Sequence, residues 1–309
     1  MRVIQSLSDS IQANLAWEEL LLDRFEADGP ALFFCVNDPA VVVGKNQNPW
    51  RETNPGFLAD DGVELARRVS GGGTVYHDGG NLNYSLILSR HGYDPDQLFQ
   101  RLLAALAGVG ISAERMPGNS MGVAGRKFSG HAFCYRGSAV LHHGTLLVDT
   151  DLAQLRQAMQ PALPGIMTRA VASRPASVMN LAEARPGLNM DELRRVLAAE
   201  YAPGVPLVTC APPEGEMEWQ RLRDRYGSWD WILGYTPSFS WDLCAGGTVL
   251  TLMVDRGEIQ DAILKKHDQQ EHHAGLVGCR MSKPELQAAL ADDLPEESSL
   301  LAALGDLQF

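Results

Sequence analysis

The amino-acid sequence predicts an α+β fold in which short strands pair through turns and amphipathic helices lie between them. Two observations indicate this class. Compact apolar runs are separated by turn residues, as at 31–36 and 40–43 on either side of Asn37-Asp38-Pro39. Segments with helical periodicity are interspersed among such runs, but strand and helix do not alternate regularly enough to indicate a parallel α/β sheet.

Periodicity and turn residues place the individual elements along the chain. Leu15, Leu22 and Phe25 share one face of a first helix, which Ser8 or Ser10 would cap. The predicted helices span residues 11–26, 96–109, 152–159, 190–201 and 282–291. The predicted strands span residues 31–36, 40–43, 63–69, 82–88, 120–123, 126–133, 142–147, 247–254 and 258–264.

The length of the chain predicts two domains. At 309 residues it exceeds what one hydrophobic core normally serves. A proline-rich stretch at 202–213 has the composition of a connection, and the tail beyond it changes to a hairpin followed by a helix. We therefore predict a main domain at 1–235 and a small α/β domain at 236–309, with a hinge near 234–237.

Composition and charge exclude several classes of protein. Hydrophobic residues make up 45% of the chain and charged residues 21%, as in ordinary globular proteins. The net charge of -12 argues against sequence-independent binding of nucleic acid, which depends on Lys and Arg. No apolar run approaches the roughly 20 residues that span a bilayer, and the first residues lack a secretory apolar stretch. We expect a cytoplasmic protein without a membrane partner.

The cysteines favour reduced thiols. Cys35, Cys134, Cys210, Cys244 and Cys279 lie far apart and never approach a C-x-x-C pair. A scattered, odd-numbered set in a chain of this length argues against a disulfide framework or a zinc site.

A glycine-rich segment at 67–78 is the first candidate for chemistry. Three successive glycines allow positive φ and bring backbone N–H groups close to an anion. The segment matches neither the P-loop nor the dinucleotide-binding spacing. A tight hairpin would also need these glycines, but the flanking Arg67 and Arg68 and the pair His77-Asp78 favour a ligand-binding loop with added positive charge.

Two later strands carry further candidates. In the segment 125–130, strand alternation places Lys127 and Ser129 on one face. An ammonium group in a pocket could polarise a carboxyl carbonyl and balance charge on a phosphate. A solvated lysine on an exposed strand face is the plain alternative. At 142–147, His143 could line the same pocket or simply pack in the core.

Taken together, these segments resemble the lipoate–protein ligase family within the biotin/lipoate ligase superfamily. The matching segments are Asn14-Leu15-Ala16-Trp17-Glu18-Glu19, Val41 to Trp50, Arg67 to Asn81, Arg126 to Gly130, His142 to Leu147, and a Ser-Trp-x-Trp-x-x-Gly-x-x-Pro-x-Phe signature over 228–239. The resemblance implies a catalytic domain with mixed sheets and flanking helices, and a small C-terminal domain that moves between two steps of a reaction.

The resemblance also implies an activity. It suggests that lipoate is adenylated with ATP and Mg²⁺ and then passed to a lysine of an acceptor, namely a lipoyl domain of 2-oxoacid dehydrogenase complexes or the glycine cleavage H protein. Lys127 would be the catalytic residue. Contacts to ATP and lipoyl-AMP are expected from Arg68, Ser70, Gly71, Gly72, Gly73, Thr74, Val75, Tyr76, Lys127, Ser129, Gly130 and Ala132. Contacts to lipoate are expected from Gly72, His77, Asn83, Lys127 and His143.

Two positions depart from the family pattern. Ser120 follows Asn119 where the family usually has aspartate, so Asp78, or else solvent, would bind the magnesium ion in its place. His131 stands where a small residue is more usual. An ATP-independent octanoyl or lipoyl transferase of the same fold is the alternative function, although the chain has no cysteine just before the lysine strand and Cys134 lies after it. A non-catalytic binding module, or a specialised ligase with a changed substrate, is a third hypothesis.

Overall fold

The computed structural model of the protein describes residues 1–267, 269–294 and 296–306. Its strands are β1 Arg2–Ser6, β2 Ala31–Cys35, β3 Ala40–Val43, β4 Glu64–Arg67, β5 Val75–His77, β6 Asn81–Ser89, β7 Glu114–Met116, β8 Ser120–Val123, β9 Arg126–Arg136, β10 Ala139–Leu147, β11 Met167–Thr168, β12 Leu207–Cys210, β13 Phe239–Ala245, β14 Thr248–Asp255, β15 Glu258–Lys266 and β16 Gln269–His272. Its helices are α1 Ile11–Asp23, α2 Phe25–Asp28, α3 Pro49–Glu52, α4 Pro55–Asp60, α5 Pro95–Gly108, α6 Leu152–Ala158, α7 Leu181–Ala184, α8 Met190–Tyr201, α9 Met217–Tyr226, α10 Trp229–Ile232, α11 Lys283–Asp293 and α12 Ser298–Asp306, with a 3-10 turn at Ala274–Leu276.

A large mixed sheet forms the centre of the fold, with the strand order β12-β1-β2-β6-β10-β9-β8-β7. Strand β1 runs parallel to β2 and β12, and the other neighbours are antiparallel. Helices α5 and α8 cover one face, whereas α1 and α9 cover the other. Because both faces are covered, β2 is buried at every position, which explains its unbroken apolar run.

Burial on both faces supplies the main stabilisation of this sheet. Phe34 and Leu86 face the α5–α8 side, and Phe33, Ile87 and Leu141 face the α1–α9 side, all at 1% exposure or less. Burying one such side chain contributes about 2 kcal/mol. The sheet is therefore a rigid support for the polar side chains that project from β9 and β10.

A small sheet with the order β4-β3-β5 holds the glycine-rich segment. Strands β4 and β5 lie on opposite sides of β3, so the chain between them must cross the end of β3. That crossing carries residues 68–74 over Gly44, directly after β3. The position of the loop is thus fixed by strand order.

The third sheet has the order β11-β13-β14-β15-β16, is antiparallel throughout, and packs against α11 and α12. Its apolar core also includes Trp50 and Leu163, and its edge strand β11 comes from residues before 235. The domain division at 235/236 stays a prediction. The structure adds that the chain near 163–168 packs with the C-terminal part.

The predicted fold class and elements are confirmed, with element ends that shift by up to three residues, as where 126–133 extends to Arg136. The connection predicted at 202–213 was wrong in part, because Leu207–Cys210 joins the central sheet beside β1. Its side chains are only partly buried, so it lacks the apolar run of an inner strand. No helix of the described chain is long and apolar enough to cross a membrane.

Candidate active site

A cavity of about 1010 Å³ opens between the central sheet, the β4–β5 loop and α1. The predicted site residues that line it are Arg68, Gly72, Gly73, Thr74, Val75, Tyr76, His77, Asn83, Lys127, Ser129, Gly130, Ala132 and His143. Ser70, Gly71 and Asp78 do not belong to its lining. Segments that are far apart in sequence therefore meet around one space of a size that suits a ligand.

The glycine loop needs its glycines for steric reasons. Gly72 has a φ of 89°, and a Cβ on Gly44 would lie 2.3 Å from the carbonyl oxygen of Gly72. Within the described residues, the N–H groups of Gly71, Gly72 and Gly73 have no protein acceptor. Three free amides in a row are a concave donor surface for an anion.

Arg68 organises this loop from within. Its guanidinium is buried and donates to the carbonyl oxygens of Gly71 (2.6 Å), Gly73 (2.7 Å) and Val42 (3.0 Å), and to Ser70 Oγ (3.0 Å). Burial lowers the pKa of Arg68 to about 10, so the side chain stays charged at neutral pH. Most of its donors are used on the loop, and it contributes positive charge at the cavity wall.

Arg67 does not serve the loop, and the expectation that it would add charge there was wrong. Its side chain is fully buried and points away, donating to the carbonyl oxygens of Ile232 (2.8 Å) and Gln47 (2.9 Å) and to Thr236 Oγ1 (2.9 Å). Trp231 Nε1 donates back to the Arg67 carbonyl at 2.7 Å. Arg67 therefore ties the glycine-loop strand to the signature at 228–239.

Lys127 projects from β9 into the cavity. Its backbone is held on both sides by residues 177–179, with N–H to Ser177 O at 2.8 Å and C=O to Met179 N at 2.9 Å. In the described part of the chain, no hydrogen bond or ion pair reaches its ammonium group. Burial, with Arg68 as a second cause, lowers the pKa of Lys127. A half-buried cation that lacks a partner is a site for an anion.

A chain of hydrogen bonds connects α1 to the glycine loop. Glu18 Oε1 lies 2.8 Å from His143 Nδ1, and His143 Nε2 lies 2.6 Å from Ser70 Oγ. Ser85 Oγ also donates to Glu18. Because Ser70 does not line the cavity and is bonded to Arg68, this chain holds the loop in place and offers no nucleophile.

His77 is held in one tautomer by a second chain. Asn14 Nδ2 donates to Asn37 Oδ1 at 2.7 Å, so the amide of Asn37 presents its Nδ2 to His77 Nδ1 at 3.0 Å. The proton of the imidazole is therefore on Nε2, which is buried without a partner among the described residues. Burial, Arg68 and His143 lower the pKa of His77 to about 3, so the ring is neutral.

The structure gives Asp78 a structural role and gives no support for it as a magnesium ligand. Its Oδ1 accepts from Gly80 N at 2.9 Å and its Oδ2 from Asp151 N at 2.8 Å. The carboxylates that line the cavity are Glu18 and Glu52, and Glu52 is paired with Arg51. No group of three metal-ligating side chains occurs in the chain as described.

Replacing Asp78 with alanine is expected to lower the free energy of unfolding by about 2 kcal/mol, because two backbone N–H groups lose a charged acceptor. Denaturant unfolding measures this change, and the exposed Asp61→Ala is the matched control. The magnesium concentration that gives half-maximal rate should stay the same in both variants. A tenfold rise of that concentration in Asp78→Ala alone would make Asp78 a metal ligand after all.

Two parts of the cavity wall were not predicted from the sequence. Asn14 and Glu18 enter from α1, where the motif gave a resemblance but no role. Residues 171–178 cover the opposite side, with Ser173 Oγ accepting from Thr74 N at 2.9 Å. Arg174 lies there and Arg156 lies nearby on α6. The spacing of these positions carries no pattern that indicates a site.

The thiols near the site are poorly suited to nucleophilic attack. Cys35 lines the cavity, but burial and the nearby Glu18 carboxylate raise its pKa. Cys134 lies outside the lining, packed against the core on the α1 side, and burial raises its pKa as well. The thiolate is the reactive form of cysteine, so neither residue is activated here.

Known proteins with similar sequences point to one family. The mitochondrial lipoyl amidotransferase of Homo sapiens is 35% identical over 248 residues, covering 77% of this chain and 66% of the human protein. The lipoate-protein ligase A of Bdellovibrio bacteriovorus is 33% identical over 271 residues, covering 82% of this chain and 80% of that protein. The chain thus spans about two thirds of the human relative.

Solved structures share the fold. LipL1 of P. falciparum in complex with lipoate superposes with a TM-score of 0.68 at 24% identity, covering 94% of this chain and 93% of that one. A lipoate-protein ligase A bound with ATP gives a TM-score of 0.62 at 23% identity, covering 75% and 98%. The model of the lipoyl protein ligase A/B catalytic domain matches residues 10–202. This chain therefore belongs to the lipoyl protein ligase A/B family.

Proposed function

We propose that this protein is a lipoate–protein ligase that adenylates lipoate with ATP and transfers the lipoyl group to a lysine of a lipoyl domain. In the first step a carboxylate oxygen of lipoate bonds to the α-phosphorus and pyrophosphate leaves. In the second step the amine of the acceptor bonds to the carbonyl carbon and AMP leaves with the electron pair. Both steps depend on positioning and on balancing negative charge.

The observation that carries this proposal is the unpaired ammonium of Lys127 in a buried cavity beside unpaired loop amides. The carboxyl–phosphate junction of an acyl adenylate has negative charge where these donors converge. Lys127 would bind the carbonyl and phosphate oxygens, and the amides of Gly72 and Gly73 would bind the remaining phosphate oxygens. Nucleophilic attack by a protein side chain is not required.

The rest of the cavity fits the two ends of an acyl adenylate. Apolar side chains suited to an aliphatic chain and its ring line the part near α1 and β2, namely Ile11, Leu15, Phe33 and Val42. At the opposite part, Arg156 and Arg174 line the wall without a protein partner in the described structure, and they suit a nucleotide phosphate. A magnesium ion would be held by those phosphates and water.

The alternative is a transferase that takes the lipoyl or octanoyl group from an already modified carrier protein. The human relative, named as a lipoyl amidotransferase, favours it. The two functions share the attack of the acceptor lysine and differ in the acyl donor. We infer a cytoplasmic setting for either, because all five cysteines are free.

AMP formation separates the two functions. Purified protein is incubated with ATP, magnesium and either lipoate, octanoate or biotin, with and without a lipoyl domain. The ligase predicts AMP with lipoate and a mass gain on the acceptor lysine. Absence of AMP together with transfer from a lipoylated carrier protein would replace the ligase with the transferase.

Cysteine variants test the chemistry of transfer. Cys35→Ala and Cys134→Ala are expected to keep the transfer rate within about threefold of wild type, because burial disfavours both thiolates. The exposed Cys244→Ala is the matched control. A loss of a hundredfold or more in one variant, with a hydroxylamine-sensitive acyl group on that cysteine in wild type, would establish a thioester route instead.

A further inference from the structure

Two buried histidines connect the cavity wall with the protein surface. His131 and His142 face each other on neighbouring strands β9 and β10, with exposures of 8% and 1%. Their rings are packed in aromatic side chains, with ring-centre distances of 4.6 Å from Phe99 to His131 and from Phe133 to His142. Burying two imidazoles in an apolar shell is costly unless each ring nitrogen is bonded.

Each ring nitrogen is bonded, and the bonds form a single file. Ser129 Oγ lies 2.9 Å from His131 Nε2, His131 Nδ1 lies 3.0 Å from His142 Nε2, and His142 Nδ1 lies 3.2 Å from Tyr93 Oη. Ser129 lines the cavity, and Tyr93 is partly exposed in the turn before α5. The file therefore runs from the site to the surface.

A side branch meets the file at His131. Tyr84 Oη lies 3.1 Å from His131 Nδ1. Tyr201 Oη, whose ring stacks on that of Tyr84, donates to Leu98 O at 2.9 Å. Tyr84 Oη and His142 Nε2 therefore both approach His131 Nδ1. A proton on Nδ1 can be shared between the two contacts, whereas the single lone pair of an unprotonated Nδ1 accepts one hydrogen bond. With that proton on Nδ1, Ser129 donates to His131, His131 to His142, and His142 to Tyr93.

The charges around the rings keep them neutral. His131 is faced by the cationic groups of Lys127 and Arg115 and by His142 and His143. His142 is faced by His143 and by the hydroxyl of Tyr93. Burial, and after it the neighbouring histidines, lower the pKa of both imidazoles, that of His142 to about 3; Lys127 and Arg115 lower the pKa of His131 further. Neutral rings with one N–H each are the form that can pass a proton in at one nitrogen and out at the other.

We propose that Ser129, His131, His142 and Tyr93 form a proton relay for the amide-forming step. The inference rests on the transfer step of the proposed function, which the ligase and the transferase share. When the acceptor nitrogen bonds to the acyl carbon, the leaving group departs with its electron pair and the nitrogen must give up a proton. The proposed function uses Lys127 as an ammonium ion, which has no lone pair with which to accept this proton.

The transfer of protons along the file is balanced. The nitrogen gives its proton to Ser129 Oγ, and the Ser129 proton moves to His131 Nε2. The Nδ1 proton of His131 moves to His142 Nε2, that of His142 moves to Tyr93 Oη, and the Tyr93 proton passes to water. After the product has left, water enters the cavity at Ser129. The protons then shift along the same hydrogen bonds in the opposite direction, which restores their starting positions.

Tyr93→Phe tests the relay, because it removes the outer hydroxyl and keeps the ring. Single-turnover transfer from preformed lipoyl-AMP to a lipoyl domain should slow about tenfold. Adenylation and the KM for the acceptor should be unchanged, and the deficit should shrink as pH rises, because more acceptor amine arrives unprotonated. The control is Tyr135→Phe, whose ring packs against Tyr93 but whose hydroxyl is outside the file. Equal transfer rates in the two variants would overturn the relay.

A spectroscopic measurement separates failure of the relay from failure of the proposed function. Nitrogen-15 NMR of the wild-type protein should show both rings neutral at pH 7 with the proton on Nδ1. An imidazolium ring, or one ring with its proton on Nδ1 and the other on Nε2, would break the file and refute the relay whether or not the protein uses lipoyl-AMP. His131→Ala should regain part of its transfer rate with added imidazole, and a folded variant without such rescue counts against the relay.

Discussion

Replacing Lys127 with methionine is expected to lower kcat of both adenylation and transfer about a thousandfold, which is the scale for removing one preorganised charge from a reacting centre. Methionine has a similar length and no charge, so the shape of the cavity is kept. The free energy of unfolding should stay the same or rise, since the native ammonium is half-buried without a partner among the described residues. A variant that loses activity but gains stability identifies a residue whose role is in the reaction and not in folding.

A matched control is Lys265→Met, which removes an exposed lysine from strand β15 and should change neither quantity. Steady-state kinetics of each half-reaction and urea unfolding measure the two effects. A Lys127→Met protein that folds and retains more than a tenth of wild-type activity would remove Lys127 from the reaction. A large loss of stability would give it a structural role instead.

The pH dependence of the wild-type rate follows from the same lysine. Burial and Arg68 lower the pKa of Lys127, so its charge is lost at a lower pH than that of a free lysine. The decline of kcat at alkaline pH should therefore begin at a lower pH than it would for a free lysine. Because the unfolded chain binds this proton more tightly than the folded one, Lys127 makes stability rise with pH between its folded pKa and its unfolded pKa.

Local sequence patterns were enough to predict the glycine loop and the lysine strand that line the cavity. Three consecutive glycines and a lysine on a strand are visible in sequence, because φ > 0 and strand alternation are local properties. The cavity lining at Gly72, Lys127 and His143 agrees with those expectations. Their chemical roles stay predictions that the variants above test.

Long-range packing decided what the sequence could not predict. Arg67 and Arg68 are adjacent in sequence, yet Arg67 binds the segment at 231–236 and Arg68 binds the glycine loop. The alternation of side chains along a strand predicts that the two arginines point to opposite faces, but it does not predict which face lines the cavity. Asp78 was the candidate metal ligand because Ser120 stands where the family usually has aspartate. Sequence could not show that Asp78 accepts hydrogen bonds from the backbone of Gly80 and of Asp151.

Replacing Arg67 with methionine is expected to lower the free energy of unfolding by about 4 kcal/mol, the largest stability effect of any variant considered. The guanidinium is the donor for buried acceptors from two separate segments, namely the carbonyl oxygens of Gly44, Lys45, Gln47, Trp231 and Ile232 and the hydroxyl of Thr236. Methionine fills part of the volume but satisfies none of them. Each buried acceptor without a donor costs about 1 kcal/mol or more.

Urea unfolding of Arg67→Met is compared with that of Arg221→Met, which removes an exposed arginine from α9 and should change stability by less than about 0.5 kcal/mol. Arg67→Lys should fall between them, because one ammonium cannot reach both segments. The segment at 231–236 should also become more sensitive to protease in Arg67→Met, since its hydrogen bonds from the guanidinium of β4 are lost. Near-wild-type stability would mean that water replaces the guanidinium, and the signature at 228–239 would then need another reason to pack against the glycine-loop strand.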